Sequence, residues 1–184
     1  MTRDSNAQRV YLHVGVHKSG TTHLQLQLVR HRAALREQGV LYPGAQSRMF
    51  LAAVDVRGTH RAWGLRGREV RGSWDTLCRA ARGHDGPTVL SHELFAAAAP
   101  RQVTAAMTML QGLDVHIVVS TPDVTNAATL DAVTHWRRAV PDDHLHVLTV
   151  PAGPAGHELL WQRFAALVGF DPAAAPAPHP ATAD

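Results

Sequence analysis

Lys18 is the residue of this chain that most clearly points to chemistry. The chain contains 18 lysines and arginines together, and Lys18 is its only lysine. Arginine presents a planar fork of donors, whereas lysine presents one compact ammonium group on a flexible stem. A site that must place a single positive charge against one phosphate or sulfate oxygen therefore favours lysine. The segment around it, residues 15–22, reads GVHKSGTT and directly follows a short apolar run.

This segment has the features of an anion-binding loop. Gly15 and Gly20 let the backbone turn tightly and approach a ligand closely. A helix is expected to begin at about Ser19, with its first N–H groups unpaired and about half a positive charge at that end. Thr21 and Thr22 add hydroxyl donors, so we expect a phosphate or sulfate ester as ligand. The residues expected to bind it are His17, Lys18, Ser19, Gly20, Thr21 and Thr22.

The order of residues separates this loop from the Walker A loop. The Walker A loop reads G-x-x-x-x-G-K-[ST], with the lysine after the second glycine. Here Lys18 stands two residues before Gly20, so the pattern does not match. A nucleotide-dependent kinase is therefore kept only as a secondary alternative.

The apolar strand, the HKSGTT segment and Leu24 together resemble the 5′-phosphosulfate loop of sulfotransferases that use 3′-phosphoadenosine 5′-phosphosulfate (PAPS). The resemblance implies that Lys18 contacts the oxygen between phosphate and sulfate, and that the serine, glycine and threonines after it hold the 5′-phosphate. It also implies a P-loop-like fold with PAPS as donor co-substrate. Further stretches that look like bacterial members of this family are residues 39–43, 73–75, 89–94 and 160–164.

A second apolar run ends in Ser91-His92-Glu93, which offers two candidate bases. Transfer of a sulfuryl group to a hydroxyl needs a base near the acceptor proton, and a carboxylate or an imidazole can serve. In sulfotransferases that act on glycosaminoglycans a glutamate has this role, and in those that act on phenols and steroids a histidine has it. The resemblance favours Glu93 over His92. In the alternative, Glu93 caps the next helix and His92 is buried in the strand end.

The chain departs from the family where the 3′-phosphate of PAPS is bound. Pro122 stands where the family has an arginine that contacts this phosphate, and no serine follows Ser120 to complete the contact. The family's glycine-rich basic loop has no counterpart either. An active sulfotransferase with altered donor binding and an inactive sulfotransferase-like protein that binds a nucleotide or another anion are therefore both open. Candidate replacements for the arginine are Arg137, Arg138, Thr125 and Thr129.

Length and composition indicate one soluble domain. The chain has 184 residues, of which 45% are hydrophobic and 18% charged, as in ordinary globular proteins. No apolar stretch reaches the roughly 18 residues needed to span a bilayer, and no signal peptide is visible, so we expect a cytoplasmic protein without a membrane partner. The arginine-rich stretch 57–82 shows no aromatic-basic interleaving of the kind found in nucleic-acid-binding modules, so no nucleic-acid partner is expected. The acceptor is expected to be a small molecule or a glycan.

Short apolar runs alternate with helical patterns along the chain. Strands are expected at residues 9–14, 40–42, 87–91, 114–121 and 144–150. Helices are expected at residues 20–38, 47–56, 73–83, 100–111, 126–139 and 156–168. This alternation predicts a three-layer α/β/α sandwich with a parallel sheet of about five strands and ligands at the strands' carboxyl ends. Residues 1–171 should form this domain, and residues 172–184, rich in proline and alanine, a disordered tail.

The 13 histidines of the chain raise the question of a metal site. His144 and His146 share one face of the last expected strand, but the sequence places no third ligand beside them. Because a zinc site in a protein uses at least three protein ligands, no metal is expected.

Overall fold

The computed structural model describes residues 8–17, 19–151 and 153–174. Lys18, the first seven residues and most of the expected tail, residues 175–184, lie outside the described residues. The roles and the disorder expected for these segments stay predictions. None of the helices formed by the described residues is long and apolar enough to cross a membrane.

The described residues form one sheet of four parallel strands. These strands are β1 (Arg9–His13), β2 (Thr88–Ser91), β3 (Asp114–Thr121) and β4 (Leu145–Thr149). Their order across the sheet is β2-β1-β3-β4, and each pair of neighbours is parallel. The predicted α/β class with a parallel sheet is confirmed.

Helices cover both faces of the sheet. Every residue of β1 after Arg9 and every residue of β3 after Asp114 is buried. Because neighbouring side chains of a strand point to opposite faces, burial along the whole strand requires a layer of helices on each side, as in an α/β sandwich. The largest fully buried side chains include Tyr11, Phe95, Trp136 and Phe164.

The segment 40–42 differs from its prediction as a fifth strand. It makes one isolated parallel bridge, between Leu41 and Thr88, held by two backbone hydrogen bonds of 2.8 Å. Gly39 precedes this segment with a positive φ of 80°, and Pro43 follows it without an N–H donor. The pairing therefore stops after one bridge, and the described part of the chain has four strands.

The six predicted helices lie close to their predicted positions, except that the first is divided in two, and a short helix at Gly67–Val70 was not predicted. The helices are α1 (Thr21–Arg30), α2 (Arg32–Glu37), α3 (Gln46–Arg57), α4 (Gly67–Val70), α5 (Ser73–Arg82), α6 (Pro100–Thr108), α7 (Ala127–Arg137) and α8 (Pro154–Val168). The helix expected at 20–38 is divided at His31, which has φ −98° and ψ 13°. The His31 ring is buried with its centre 5.9 Å from that of Trp161 in α8, so the division coincides with a packing contact.

The loop between β1 and α1 lies where this topology places ligands. From the central strand β1 the chain moves to β2 on one side, and it then returns to β3 on the other side. The strand order therefore reverses between β1 and β3. In open α/β sheets a crevice forms at such a point, outside the carboxyl ends of the strands. The loop of residues 14–20 begins at this crevice.

Candidate anion-binding site at the β1–α1 loop

Two glycines shape the loop that leads into α1. Gly15 has a φ of 68° and Gly20 a φ of 81°, a left-handed conformation that is costly for other residues. A Cβ on Gly15 would lie 2.8 Å from Thr21 Oγ1 and 3.1 Å from the Cα of Glu93. Glycine is therefore required at this position, because the loop backbone packs directly against Glu93.

A buried chain of hydrogen bonds supports the loop from below. Ser91 Oγ lies 2.8 Å from His13 Nδ1, and His13 Nε2 lies 2.9 Å from Ser120 Oγ. Ser120 Oγ in turn lies 2.8 Å from Ser19 Oγ, and the Ser19 hydroxyl donates to the Val16 carbonyl over 2.7 Å. These hydrogen bonds thus join the loop to three strands, β2, β1 and β3.

The direction of this chain follows from its two ends. Burial lowers the pKa of His13 to about 3, so the imidazole is neutral and carries one proton. Because the Ser19 hydroxyl donates to Val16, its oxygen accepts from Ser120, and Ser120 therefore accepts from His13 Nε2–H. His13 Nδ1 then accepts from the Ser91 hydroxyl. A positively charged His13 would donate at both nitrogens and break this order.

The hydroxyls of Ser19 and Thr21 point into the protein rather than toward a ligand. Both residues are only 3% exposed. Thr21 Oγ1 lies 3.0 Å from Ser19 Oγ and 3.3 Å from the Val16 carbonyl. Of the two threonines expected to offer hydroxyls, only Thr22 has an exposed side chain. Ser19 and Thr21 therefore fix the loop, and the donors left for an anion are mainly the backbone N–H groups of α1, whose N-terminus has no side-chain cap.

A cavity of about 360 Å³ opens at this N-terminus, and we call it the loop cavity. Four of the predicted ligand residues line it, together with Glu93. Those four are His17, Gly20, Thr21 and Thr22. The loop cavity is also lined by His23 and His157, whose rings stack with centres 5.0 Å apart. The structure therefore places the predicted anion loop and the predicted base around one space.

A second cavity, of about 370 Å³, adjoins the first, and we call it the strand-end cavity. It shares His17 and Glu93 with the loop cavity, so these two side chains stand between the two spaces. Pro122, Asp123 and Asp131 also line it. Besides Glu93, the strand-end cavity therefore carries two carboxylates near Pro122, where the resemblance leads one to expect a phosphate-binding arginine.

Glu93 is held in place by a pair of glutamines. Its Oε2 accepts a hydrogen bond of 3.0 Å from Gln25 Nε2, and Gln25 Oε1 accepts one of 3.0 Å from Gln46 Nε2. The Glu93 side chain is 23% exposed, so its carboxylate is oriented by the protein and still reachable from the cavities. This is the arrangement that a general base requires.

His92 has a structural role instead. Its Nδ1 accepts a hydrogen bond of 3.2 Å from the backbone N–H of Leu94, which caps the 3₁₀ helix Glu93–Ala97. The ring is buried beside Phe50, with centres 5.7 Å apart. Burial lowers the pKa of His92, and the neighbouring Glu93 only partly offsets this. The cap is thus His92 rather than Glu93, and the geometry favours Glu93 as base.

Neither arginine considered as a replacement at Pro122 lies near it. Both stand at the carboxyl end of α7, a helix about 16 Å long whose amino end faces the strand-end cavity. Arg137 pairs there with Asp142, with its Nε 2.9 Å from Oδ1. Arg138 lines a different cavity, near the amino end of β3. The two arginines therefore do not take the place of the missing one.

The two threonines considered for the same role are engaged with other groups. The Thr125 hydroxyl donates to Asp123 Oδ1 over 2.7 Å. Thr129 Oγ1 is buried and lies 2.9 Å from Thr121 Oγ1. Both hydroxyls are therefore already engaged with groups of the protein.

Sequence reasoning missed the buried hydrogen-bond chain and the glutamine that orients Glu93. The available signal was polar residues that directly follow apolar runs, since His13 follows residues 10–12 and Ser120 follows residues 117–119. Gln25 gave a weaker signal, because glutamine is common on helices and its partner is distant in sequence.

No protein-family model, no curated protein and no solved structure matches this chain. Function must therefore be inferred from the site itself.

Proposed function

We propose that this protein transfers the sulfuryl group of PAPS to a hydroxyl or amine group of a small-molecule or glycan acceptor. The observation that carries the proposal is the loop cavity, in which the uncapped N-terminus of α1 and the carboxylate of Glu93 line one space. Free N–H groups at a helix N-terminus bind phosphate and sulfate esters. A carboxylate within reach of the same space supplies the base that transfer to a hydroxyl needs.

Each group has one role in this reaction. When bound, PAPS supplies the sulfuryl group, and the transfer needs no metal. The backbone N–H groups at Gly20 to Thr22 hold the 5′-phosphate. Lys18 neutralises the charge that develops on the phosphate oxygen as its bond to sulfur breaks. Glu93 takes the acceptor proton while the acceptor oxygen or nitrogen forms its bond to sulfur.

The buried hydrogen bonds supply the rigidity that such a site needs. The chain from Ser91 to Val16 fixes the loop that carries the phosphate-binding N–H groups. Gln25 fixes the carboxylate of Glu93. Donors and a base that are already oriented need no reorganisation during the reaction, which is the main source of rate in transfers of this kind.

The strand-end cavity supports a second candidate, a protein that binds an anion or a nucleotide without turnover. Pro122 offers no positive charge to a 3′-phosphate, and Asp123 and Asp131 repel one. The donor set at α1 fits a 5′-phosphate or sulfate, whereas the strand-end cavity does not fit a 3′-phosphate. A loop cavity that still binds anions, with catalysis lost, agrees with these features.

Calorimetric titration with 3′,5′-ADP, 5′-AMP, ATP and sulfate tests the binding part of the proposal. We expect 3′,5′-ADP to bind and Lys18→Ala to weaken it about ten- to hundredfold, as for loss of one charge-assisted contact. Arg101→Ala, an exposed cation on α6, is the matched control and should change nothing. Unchanged affinity in Lys18→Ala would refute the role of the loop, and clear preference for ATP would favour a kinase.

Turnover decides between the two candidates. Incubation with PAPS labelled on sulfur and a panel of phenols, amines and glycans should transfer label to at least one acceptor, and Glu93→Gln should slow that transfer. Binding of 3′,5′-ADP that depends on Lys18, without transfer to any acceptor of the panel, would support the binding protein instead.

A further inference from the structure

A second cluster of polar side chains lies at the opposite end of the sheet from the loop cavity. Asp114 begins β3 and Thr121 ends it, so the cluster is separated from the loop by roughly 23 Å of strand. The cluster consists of Asp114, His116 and His144, with Arg9 and His146 in contact with it. No step of the proposed sulfuryl transfer uses these residues.

The spacing of three donor atoms in the cluster suits a metal ion better than it suits hydrogen bonds. Asp114 Oδ1 lies 3.4 Å from His116 Nε2 and 3.4 Å from His144 Nδ1. Hydrogen bonds between nitrogen and oxygen are usually 2.7–3.2 Å long. A tetrahedral ion with bonds of about 2.1 Å has ligand atoms about 3.4 Å apart. One ligand atom from each of the three residues lies within 4.8 Å of the other two.

His116 supplies an independent observation. The His116 side chain is buried, and its Nε2 has no hydrogen-bond partner. A buried polar nitrogen without a partner is costly, and it is uncommon in folded proteins. This is the nitrogen that points toward Asp114 Oδ1. A cation between the two would satisfy both atoms.

The other atoms of these ligands are already oriented. His116 Nδ1 lies 2.8 Å from His146 Nε2, and Asp114 Oδ2 accepts a hydrogen bond of 2.9 Å from Arg9 Nε. Histidine ligands of metals commonly use their second nitrogen in this way, which fixes the ring and the position of its proton. His146 and Arg9 therefore act as positioning residues for the two ligands.

His144 must change more than the other two ligands. Its ring stacks on that of His116 with centres 4.2 Å apart, and its Nδ1 lies 3.2 Å from the Val115 carbonyl. To bind an ion, the ring must tilt and its proton must move to Nε2, which lies 4.0 Å from Asp143 Oδ1. The His144 side chain is 26% exposed and immediately precedes β4, so this adjustment does not disturb the core.

A cavity of about 640 Å³, lined by Asp114 and His144 among others, gives an ion a route to the cluster. It also leaves space for a water molecule as a fourth ligand. Two imidazoles and one carboxylate with an open fourth position are a ligand set that zinc accepts.

We propose that Asp114, His116 and His144 bind one Zn²⁺ ion, which fastens the edge strand β4 to β3 at the amino end of the sheet. The ion is separate from the sulfuryl-transfer site. Its binding energy stabilises the fold, since the unfolded chain does not hold the three ligands together.

Titration of the metal-free protein with ZnCl₂ tests this site. We expect one Zn²⁺ per chain and a higher melting temperature. His144→Gln and Asp114→Asn should each lower the affinity at least tenfold, and His146→Gln should lower it about ten- to hundredfold through loss of the oriented ring. His157→Gln is the matched control, because it removes a stacked histidine pair that lies outside the cluster and should leave the affinity unchanged.

Two readouts separate loss of the site from loss of the fold. Circular dichroism of His144→Gln without metal should match that of the original protein, because this side chain is partly exposed. Co²⁺ in place of Zn²⁺ should give the strong visible absorption of a four-coordinate ion, and His144→Gln should abolish it. Absence of Zn²⁺ binding, unchanged affinity in folded His144→Gln, or loss of binding in His157→Gln would each overturn the proposal.

Discussion

His13 Nε2 donates a hydrogen bond of 2.9 Å to Ser120 Oγ, joining β1 to β3 directly below the anion-binding loop. The Ser120 hydroxyl donates in turn to Ser19 Oγ, and the Ser19 hydroxyl donates to the Val16 carbonyl. The loop conformation therefore depends on a buried polar chain as well as on its glycines. A change on β3 should consequently reach the site, although Ser120 lines neither of the two cavities.

Ser120→Ala tests this connection. The change leaves the His13 Nε2–H without a partner in a buried place and removes one of the hydrogen bonds to Ser19, so we expect a loss of about 1–3 kcal/mol in the free energy of unfolding. Urea unfolding measures it. Ser47→Ala is the matched control on the exposed surface of α3 and should stay within about 0.5 kcal/mol. A Ser120→Ala protein as stable as this control would show that the chain does not support the loop.

The same chain of hydrogen bonds should make the stability of the fold sensitive to acid. Burial disfavours the charged ring and lowers the pKa of His13 to about 3 in the fold, from 6.5 for the exposed ring of the unfolded chain. Above pH 6.5 His13 is neutral in both states, and the stability it contributes is complete. As the pH falls from 6.5 toward 3, only the unfolded chain binds this proton, so the free energy of unfolding falls by about 1.4 kcal/mol per pH unit from His13.

His13→Gln removes this proton while keeping a donor and an acceptor. Urea unfolding at pH 8, 6, 5 and 4 should show a smaller loss of stability in the variant. Between pH 6 and 4 the difference should be about 1.4 kcal/mol per pH unit. At pH 8 the variant should be the less stable of the two, since glutamine does not reproduce the ring packing against Phe164. Equal slopes between pH 6 and 4 would mean that His13 is not held neutral.

Much of the fold could be predicted because short apolar runs and helix signals are local. The β1 strand lies where it was predicted, because a short apolar run that ends at a glycine is typical of a buried strand in an α/β protein. The segment 40–42 also looked like a strand. Whether such a short run extends a sheet depends on its neighbours in space, and it makes only the bridge from Leu41 to Thr88.

The direction of side chains could not be predicted from local patterns. Ser19 and Thr21 have the composition of ligand-binding residues, yet their hydroxyls turn inward because Ser120 offers a partner. That partner is 101 residues away from Ser19 in sequence. Which of His92 and Glu93 is buried could not be predicted for a related reason. It depends on the packing of the His92 ring against Phe50, which is distant in sequence.

Glu93→Gln tests the base. Provided that an acceptor is found, we expect a decrease in kcat of about a hundredfold or more, because an amide cannot take the acceptor proton. Affinity for 3′,5′-ADP should change little. His92→Ala should slow the reaction less, and Glu37→Gln, an exposed carboxylate on α2, is the control. A Glu93→Gln enzyme with nearly full kcat would exclude Glu93 as base.

The strand-end cavity leads to a prediction about nucleotide selectivity. Its lining includes Pro122 and the carboxylates of Asp123 and Asp131, and both arginines near the end of α7 lie elsewhere. No lysine or arginine is among the described residues that line this cavity. We therefore expect 3′,5′-ADP and 5′-AMP to bind within about tenfold of one another, because the charge-assisted contact that would distinguish them is missing. Calorimetric titration of the two nucleotides against the same protein measures the difference.

Two substitutions should restore selectivity by different means. Pro122→Arg supplies the missing charge and should raise affinity for 3′,5′-ADP about ten- to hundredfold while leaving 5′-AMP nearly unchanged. Asp131→Asn removes a repelling carboxylate and should also raise the affinity for 3′,5′-ADP, by a smaller factor. Glu37→Gln changes the net charge equally but lies on α2, so it should leave this affinity unchanged. Strong preference for 3′,5′-ADP in the original protein would instead show that another cation reaches the 3′-phosphate, and it would favour the active enzyme over the binding protein.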